Sequence, residues 1–250
     1  MAFIQASFFS NVIQKQTSLY AIVPETGRGP FPVFYLLHGL SDDHTIWHRR
    51  TRIEEYVAKL PLIVIMPDGY RGWYTDNEEG PAYARYMMED VIGFTERTFP
   101  AIRKRSGRCI GGLSMGGYGA LRLGLGFPDQ FVSVNSHSGA MGYPHKGGPF
   151  HHGDMARVFG KHSRGSEHDP YLLASRIVRK KTSPPKLLID CGTEDVLIQM
   201  NREYTAFLKK IGYAHEYREF PGVHDWPYWD EHIPEALAFH AAALKIGALK

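Results

Sequence analysis

The stretch Arg108-Cys109-Ile110-Gly111-Gly112-Leu113-Ser114-Met115-Gly116-Gly117-Tyr118-Gly119-Ala120-Leu121 decides the fold. It opens on a short apolar, β-prone run, passes through Gly-Leu-Ser-Met-Gly, and runs into an alanine- and leucine-bearing helical segment. A glycine-rich turn can hold a serine for no chemical reason, so G-x-S-x-G by itself is weak. Between a strand and a helix it acquires meaning. The turn there is sharp enough to strain the serine backbone, and glycines two residues to either side let strand and helix approach without Cβ clashes. The Ser114 hydroxyl would then stand above the carboxyl edge of a sheet, at the start of a helix whose dipole favours developing negative charge.

The elements on either side of this junction extend the same reading. Short β-rich runs lie at residues 31–37, 62–66, 108–110, 131–136, 186–191 and 215–220, several of them almost continuously apolar, as strands covered on both faces should be. Helical patterns alternate with them at 46–59, 83–99, 115–126, 170–179 and 196–211, and a last helix is expected over 229–249. Strands alternating with helices predict right-handed crossovers and a mainly parallel sheet with helices on both faces. Two further β-prone runs, 4–10 and 17–23, read as an antiparallel pair at one edge. Only residues 139–169 break the alternation. They are rich in Gly, His and Pro, and a loop of that length inside a compact domain predicts a small cap over a site.

With 250 residues, 43% of them apolar and 22% charged, the chain is expected to be one globular domain. A net charge of +3 without a long basic run carries neither a nucleic-acid nor a polybasic membrane footprint. No apolar run approaches the ~20 residues that cross a bilayer, and residues 1–10 lack the cationic and apolar regions of a secretory signal. A cytoplasmic location and a small-molecule partner are the expectation, with self-association left open. Cys109 and Cys191 fall in or at the end of expected buried strands, where a reduced thiol behaves as a small hydrophobe.

A serine hydroxyl needs a base to take its proton and a carboxylate to orient that base. With a strand–Ser–helix junction the acid and then the base should follow on loops after later strands. Gly192-Thr193-Glu194-Asp195 leaves the 186–191 strand, and Asp195 is the expected acid. Glu194 is its near alternative. Asp190 still lies on the strand, where a buried structural partner is the simpler reading, and Asp195 could instead cap the helix that follows. Among the 13 histidines, His215 opens a strand at the wrong edge, His232 and His240 lie in the terminal helix, and His44 and His48 lie near the first crossover helix. His224 alone sits in the loop after the last strand. The backbone N–H groups of Met115, next after the serine, and of Leu40, in the His38-Gly39-Leu40 turn, are the expected oxyanion donors. Such a set of groups performs acyl transfer to water through an acyl-serine, and it needs no cofactor.

Taken together, His38-Gly39-Leu40, Gly72-Trp73-Tyr74-Thr75-Asp76, Gly111 to Gly119, Cys191 to Asp195, and Gly222-Val223-His224-Asp225-Trp226-Pro227-Tyr228-Trp229 resemble the putative-esterase family over nearly the whole chain. That family includes esterase D, S-formylglutathione hydrolases, tributyrin esterases, feruloyl esterases and mycolyltransferases. The resemblance implies an α/β-hydrolase fold and a serine carboxylesterase acting on short-chain or aryl esters. Its serine, aspartate and histidine motifs map onto Ser114, Asp195 and His224, and its oxyanion donors onto the Leu40 and Met115 amides. The Trp73-Tyr74 and Trp226 contexts are most similar to the tributyrin and feruloyl branch. Near these motifs the three rings could wall an acyl or alcohol pocket, with ordinary core or surface packing the alternative for each. Tyr118, where the formylglutathione branch carries histidine, and the absence of a cysteine soon after Leu40 depart from that branch. An acyltransferase or thioesterase using the same groups is the first rival, and a catalytically silent binding protein the second. The histidines of residues 139–169, His145, His151, His152, His162 and His168, match no spacing with a defined metal-ligand geometry. They read as solvated loop residues, and no metal site is expected.

Overall fold

The computed structural model describes residues 1–148, 153–180 and 183–247. Eight strands form one sheet: β1 (Ala2–Ser10), β2 (Lys15–Val23), β3 (Val33–Leu37), β4 (Ile63–Pro67), β5 (Arg108–Leu113), β6 (Ser133–His137), β7 (Lys186–Gly192) and β8 (Glu216–Phe220). Their spatial order is β1-β2-β4-β3-β5-β6-β7-β8. The first two are antiparallel to each other, β2 is antiparallel to β4, and β3 through β8 run parallel. This is the mainly parallel sheet with an antiparallel edge pair that the alternation predicts.

Alternate residues of the central strands feed opposite faces. Val33, Tyr35 and Leu37 of β3 join one core cluster with Ile63, Ile110 and Ile189. Phe34 and Leu36 join the other with Val64, Cys109 and Leu188. The helices cover both faces: α1 (Ile46–Arg50), α2 (Ile53–Val57), α3 (Tyr83–Arg85), α4 (Ile92–Thr98), α5 (Met115–Gly126), α6 (Tyr143–Lys146), α7 (Met155–Phe159), α8 (Pro170–Lys180), α9 (Ile198–Ile211) and α10 (Trp226–Leu244). α5 packs against β5 and β6 from one face, and α10 brings Tyr228, Ile233 and Leu237 to the other.

Three expected helices come out differently. The 46–59 pattern is broken at Thr51, whose hydroxyl donates to the Trp47 carbonyl and accepts from the Ile53 amide. That local bonding competes with the helical ladder, and Asp230 of α10 holds the Arg52 amide and side chain at the break. The 83–99 pattern stays helical, but Tyr86–Val91 winds as a π-helix between α3 and α4. The terminal helix starts at Trp226 rather than 229, because Asp225 caps it by accepting from the Tyr228 amide at 3.2 Å, with proline in its first turn. Within residues 139–169 the structure holds two short helices, α6 and α7, around 149–152, which lie outside the described residues.

Strand order also says where a ligand belongs. β4 lies on one side of β3 and β5 on the other, so the chain reverses direction across the sheet between β3 and β5. In open parallel sheets the crevice beyond the carboxyl ends at such a reversal is the usual binding site. Leu37 of β3 pairs with Gly112 of β5 just before both chains leave the sheet, one into His38-Gly39-Leu40 and the other into Ser114.

Candidate active site

Ser114 sits at φ 52°, ψ −115°, a backbone conformation costly for any residue with a Cβ. The turn holds because its neighbours are glycines. A Cβ on Gly112 would lie 2.6 Å from the Leu37 carbonyl oxygen, and one on Gly116 would lie 2.5 Å from the same atom. The helix can therefore cross the end of β3 at backbone contact distance, which turns the Ser114 side chain out over the sheet edge.

His224 reaches it from the loop after β8. Its Nε2 is 3.0 Å from Ser114 Oγ, and its Nδ1 is 2.9 and 3.0 Å from the two oxygens of Asp195. With two carboxylate oxygens facing Nδ1, the ring proton belongs there, and Nε2 is left as the acceptor for the serine hydroxyl. Asp195 is buried and also accepts from the Leu197 amide at 2.7 Å. Burial pushes its carboxyl up, but the hydrogen bond and charge of His224, together with the Leu197 amide and the Ser138 hydroxyl, hold it below the usual carboxylate range. The two loops are stitched to each other: Thr193 N–H donates to Phe220 O, and Glu194 N–H donates to Gly222 O. Glu194, the alternative acid, is exposed, and its carboxylate accepts from the Gly222 amide at 2.8 Å, away from the imidazole. Asp190 is buried on β7, taking the Tyr228 hydroxyl at 3.1 Å and lying 2.7 Å from His137 Nδ1.

Among the described residues neither the Leu40 nor the Met115 amide donates to a protein acceptor. Met115 opens α5, where helical N–H groups have no intrahelical partner. The Leu40 turn is held by its neighbours. The Tyr74 hydroxyl accepts from the His38 amide and donates to the His38 carbonyl, and His38 Nε2 accepts from the Gly69 amide at 2.8 Å. That leaves His38 Nδ1 to donate to Gly39 O at 2.8 Å, so His38 bridges its own turn to the Gly69 turn.

The groups meet in a cleft of about 420 Å³ lined by Leu40, Ser114, His224, Trp226 and Trp229, with Tyr143 and Leu197 among its other walls. Of the three aromatic rings expected there, only Trp226 lines it. Tyr74 is fully buried under His38, and Trp73 packs against Tyr118, Tyr143 and Phe159 with ring centroids 5.1–5.5 Å away. Both lie behind the wall, because the Gly69–Asp76 turn folds inward. Trp229, Tyr143 and Leu197 were missed as wall residues. Trp229 could have been found from Trp226, since a helix starting at 226 puts the two three residues apart on one face. Tyr143 and Leu197 are set by tertiary packing alone.

The other histidines disperse. His145 lies 2.8 Å from Asp169 and stacks on Tyr171, and His168 lies 2.6 Å from the Thr75 hydroxyl. His162 borders a surface groove with His168, while His151 and His152 lie outside the described residues. Arg71 ties part of the 139–169 segment to the site: it donates to Ser41 beside Leu40 and pairs with Asp154 at 2.8 Å.

A strand–Ser114–helix turn at the reversal point of a mainly parallel sheet, with a histidine and an aspartate in line behind it, is the arrangement of the α/β-hydrolase fold. Comparison with known proteins narrows this. The family model described as putative esterase matches residues 10–240. An acetyl esterase of Caldicellulosiruptor saccharolyticus is 34% identical, over 94% of this chain and 97% of that protein. Among solved structures, fluorophosphonate-binding serine hydrolase F of Staphylococcus aureus superposes with a TM-score of 0.87 at 32% identity, covering 95% of this chain and 97% of that one. An S-formylglutathione hydrolase of the same organism gives 0.85 at 32%, covering 95% and 98%. The chain belongs to the putative esterase family, and it is a serine esterase.

Proposed function

We propose that Ser114, His224 and Asp195 form the catalytic triad of this esterase, with the Leu40 and Met115 amides as its oxyanion hole, and that its substrates are short-chain or aryl carboxylic esters. The single observation carrying the reading is the unbroken chain of contacts from Ser114 Oγ through the His224 ring to Asp195, each 3.0 Å or less. His224 Nε2 takes the hydroxyl proton as Oγ attacks the ester carbonyl, and the two amides receive the oxyanion. Collapse breaks the bond to the alcohol oxygen, which leaves with the proton from Nε2, and water repeats the cycle on the acyl-serine. Each amide contributes only as charge develops and is worth ~100- to 1,000-fold in rate.

Residues 139–169 serve as the cap of a one-domain enzyme, a reading supported by Tyr143 in the cleft wall and by the Arg71–Asp154 tie. Among the described residues no helix is long and apolar enough to cross a membrane. The cytoplasmic expectation is carried forward on the two buried, unpaired cysteines, which suit a reducing compartment. The likeness to an S-formylglutathione hydrolase favours thioester cleavage as the second reading. Rates on acetyl, butyryl and feruloyl esters against an acyl thioester separate the two. The triad itself is tested with Ser114→Ala: turnover of p-nitrophenyl acetate is expected to vanish while the circular dichroism spectrum is unchanged, and an active variant overturns the assignment.

A further inference from the structure

The sheet has two edges, and they are built differently. At one end β8 carries Glu216, Arg218 and Glu219 within five residues, with Arg218 paired to Glu216 and Glu219 to Arg202 of α9. Charges on an edge strand discourage another chain from adding to it. At the other end β1 is nine residues long, pairs only with β2 among the described strands, and has no charged residue and no proline. It therefore presents unpaired backbone donors and acceptors along an uninterrupted strand. Phe9 at its end is 49% exposed.

The order of side chains along β1 says what fits this edge. Around Ala6 the strand reads the same chemically in both directions: Gln5 and Ser7 are polar, Ile4 and Phe8 are apolar, and Phe3 and Phe9 are aromatic. An antiparallel copy centred on Ala6 would set Gln5 opposite Ser7, Ile4 opposite Phe8, and Phe3 opposite Phe9. Directly opposed residues share a face of the sheet. In this register the apolar pairs Ile4–Phe8 lie on the face where Ile4, Ala6 and Phe8 already pack on the core. The Phe3–Phe9 pairs cover the exposed ring of Phe9 on the other face. Antiparallel pairing of a strand with its own copy is a two-fold arrangement, here with the axis midway between the two Ala6 residues, and it closes after two copies.

The geometry points to a second copy of this chain as the partner of β1, joined edge to edge into a continuous sixteen-stranded sheet with Gln5 of each copy against Ser7 of the other. The proposal is independent of the triad, because β1 lies at the far edge of the sheet from β7 and β8, whose loops carry Asp195 and His224. Light scattering coupled to size exclusion tests it. The wild-type chain is expected at twice the 28.3 kDa monomer mass. The double variant Gln5→Lys with Ser7→Lys sets like charges opposite each other twice and is expected to halve the mass. Gln5→Glu with Ser7→Lys sets opposite charges together at the same two places and is expected to restore the assembly. Both positions are exposed, and unchanged esterase activity reports that each variant is folded. A monomeric wild type, an assembly that survives both lysines, or a Glu/Lys variant that fails to reassemble overturns the proposal.

Discussion

Asp195 shows how much a side chain's role depends on what it is given to bind. Its two oxygens receive His224 Nδ1, and one of them also accepts the Leu197 amide. Burial alone would favour the neutral acid, but the His224 hydrogen bond and charge and the remaining donors outweigh it and hold the carboxyl below its ordinary value. The sign follows: Asp195 contributes stability above the ordinary carboxylate value of ~3.9, and that contribution is lost as pH falls through its lower folded value. Asp195→Asn leaves the shape intact but offers Nδ1 an amide that can donate, which favours the tautomer with its proton on Nε2. That nitrogen then cannot take the serine proton. The expected loss in kcat is about 10³- to 10⁴-fold with little change in KM; steady-state kinetics giving a loss under tenfold would contradict the role proposed for this carboxylate. The same carboxylate closes the turn before α9 by accepting from the Leu197 amide, but the helix-cap alternative weighed for it from sequence does not hold, since α9 begins at Ile198 with Leu197 at its cap position and no side-chain cap bond.

At the scale of elements, what was legible was whatever local chemistry dictates. All eight strands were readable from short β-rich runs, and α5 was readable to the residue, since both follow from local patterning and the Gly112–Gly116 elbow. The break at Thr51 has a local part, the Thr51 hydroxyl bonded to Trp47 and Ile53, but the contact that holds Arg52 there comes from Asp230, 178 residues away, and no local pattern announces it. The early start of α10 was available in Asp225-Trp226-Pro227, a capping residue followed by a proline, and reading it would have placed Trp229 beside Trp226 in the cleft. The inward turn that buries Trp73 and Tyr74 carries no comparable local signal.

α10 also carries a pH liability. His240 is fully buried, with Nδ1 2.8 Å from Ser133 Oγ and Nε2 2.9 Å from Asn135 Oδ1 of β6. Burial, with a smaller contribution from His137, pushes its pKa down to about 3. The unfolded chain takes up a proton near pH 6.5 that the folded chain refuses, so stability falls on acidification through this window, by on the order of 3 kcal/mol at about pH 4. His240→Gln retains hydrogen-bonding groups without titrating. Urea unfolding of wild type and variant from neutral to acid pH is expected to show a flatter dependence in the variant. Parallel curves would mean that His240 is not the group responsible.

At the scale of the whole molecule, the sheet's reversal between β3 and β5 brings Leu40 and Ser114 to one crevice, and the successive parallel strands β6, β7 and β8 carry Asp195 and His224 toward it. Residues 110 positions apart in the chain, Ser114 and His224, meet at 3.0 Å because their strands end on the same side of one sheet. Chain order and edge of sheet were the readable parts of the site. The depth and walls of the cleft were not, because Tyr143, Leu197 and Trp229 arrive from segments whose packing no single stretch of sequence specifies. The assembly is proposed to activate Ser114 and no other serine. Incubation with a fluorophosphonate, followed by peptide mass spectrometry, is expected to give one covalent adduct, on Ser114, that is absent from Ser114→Ala. No adduct, or an adduct on another residue that persists in the variant, would contradict the account.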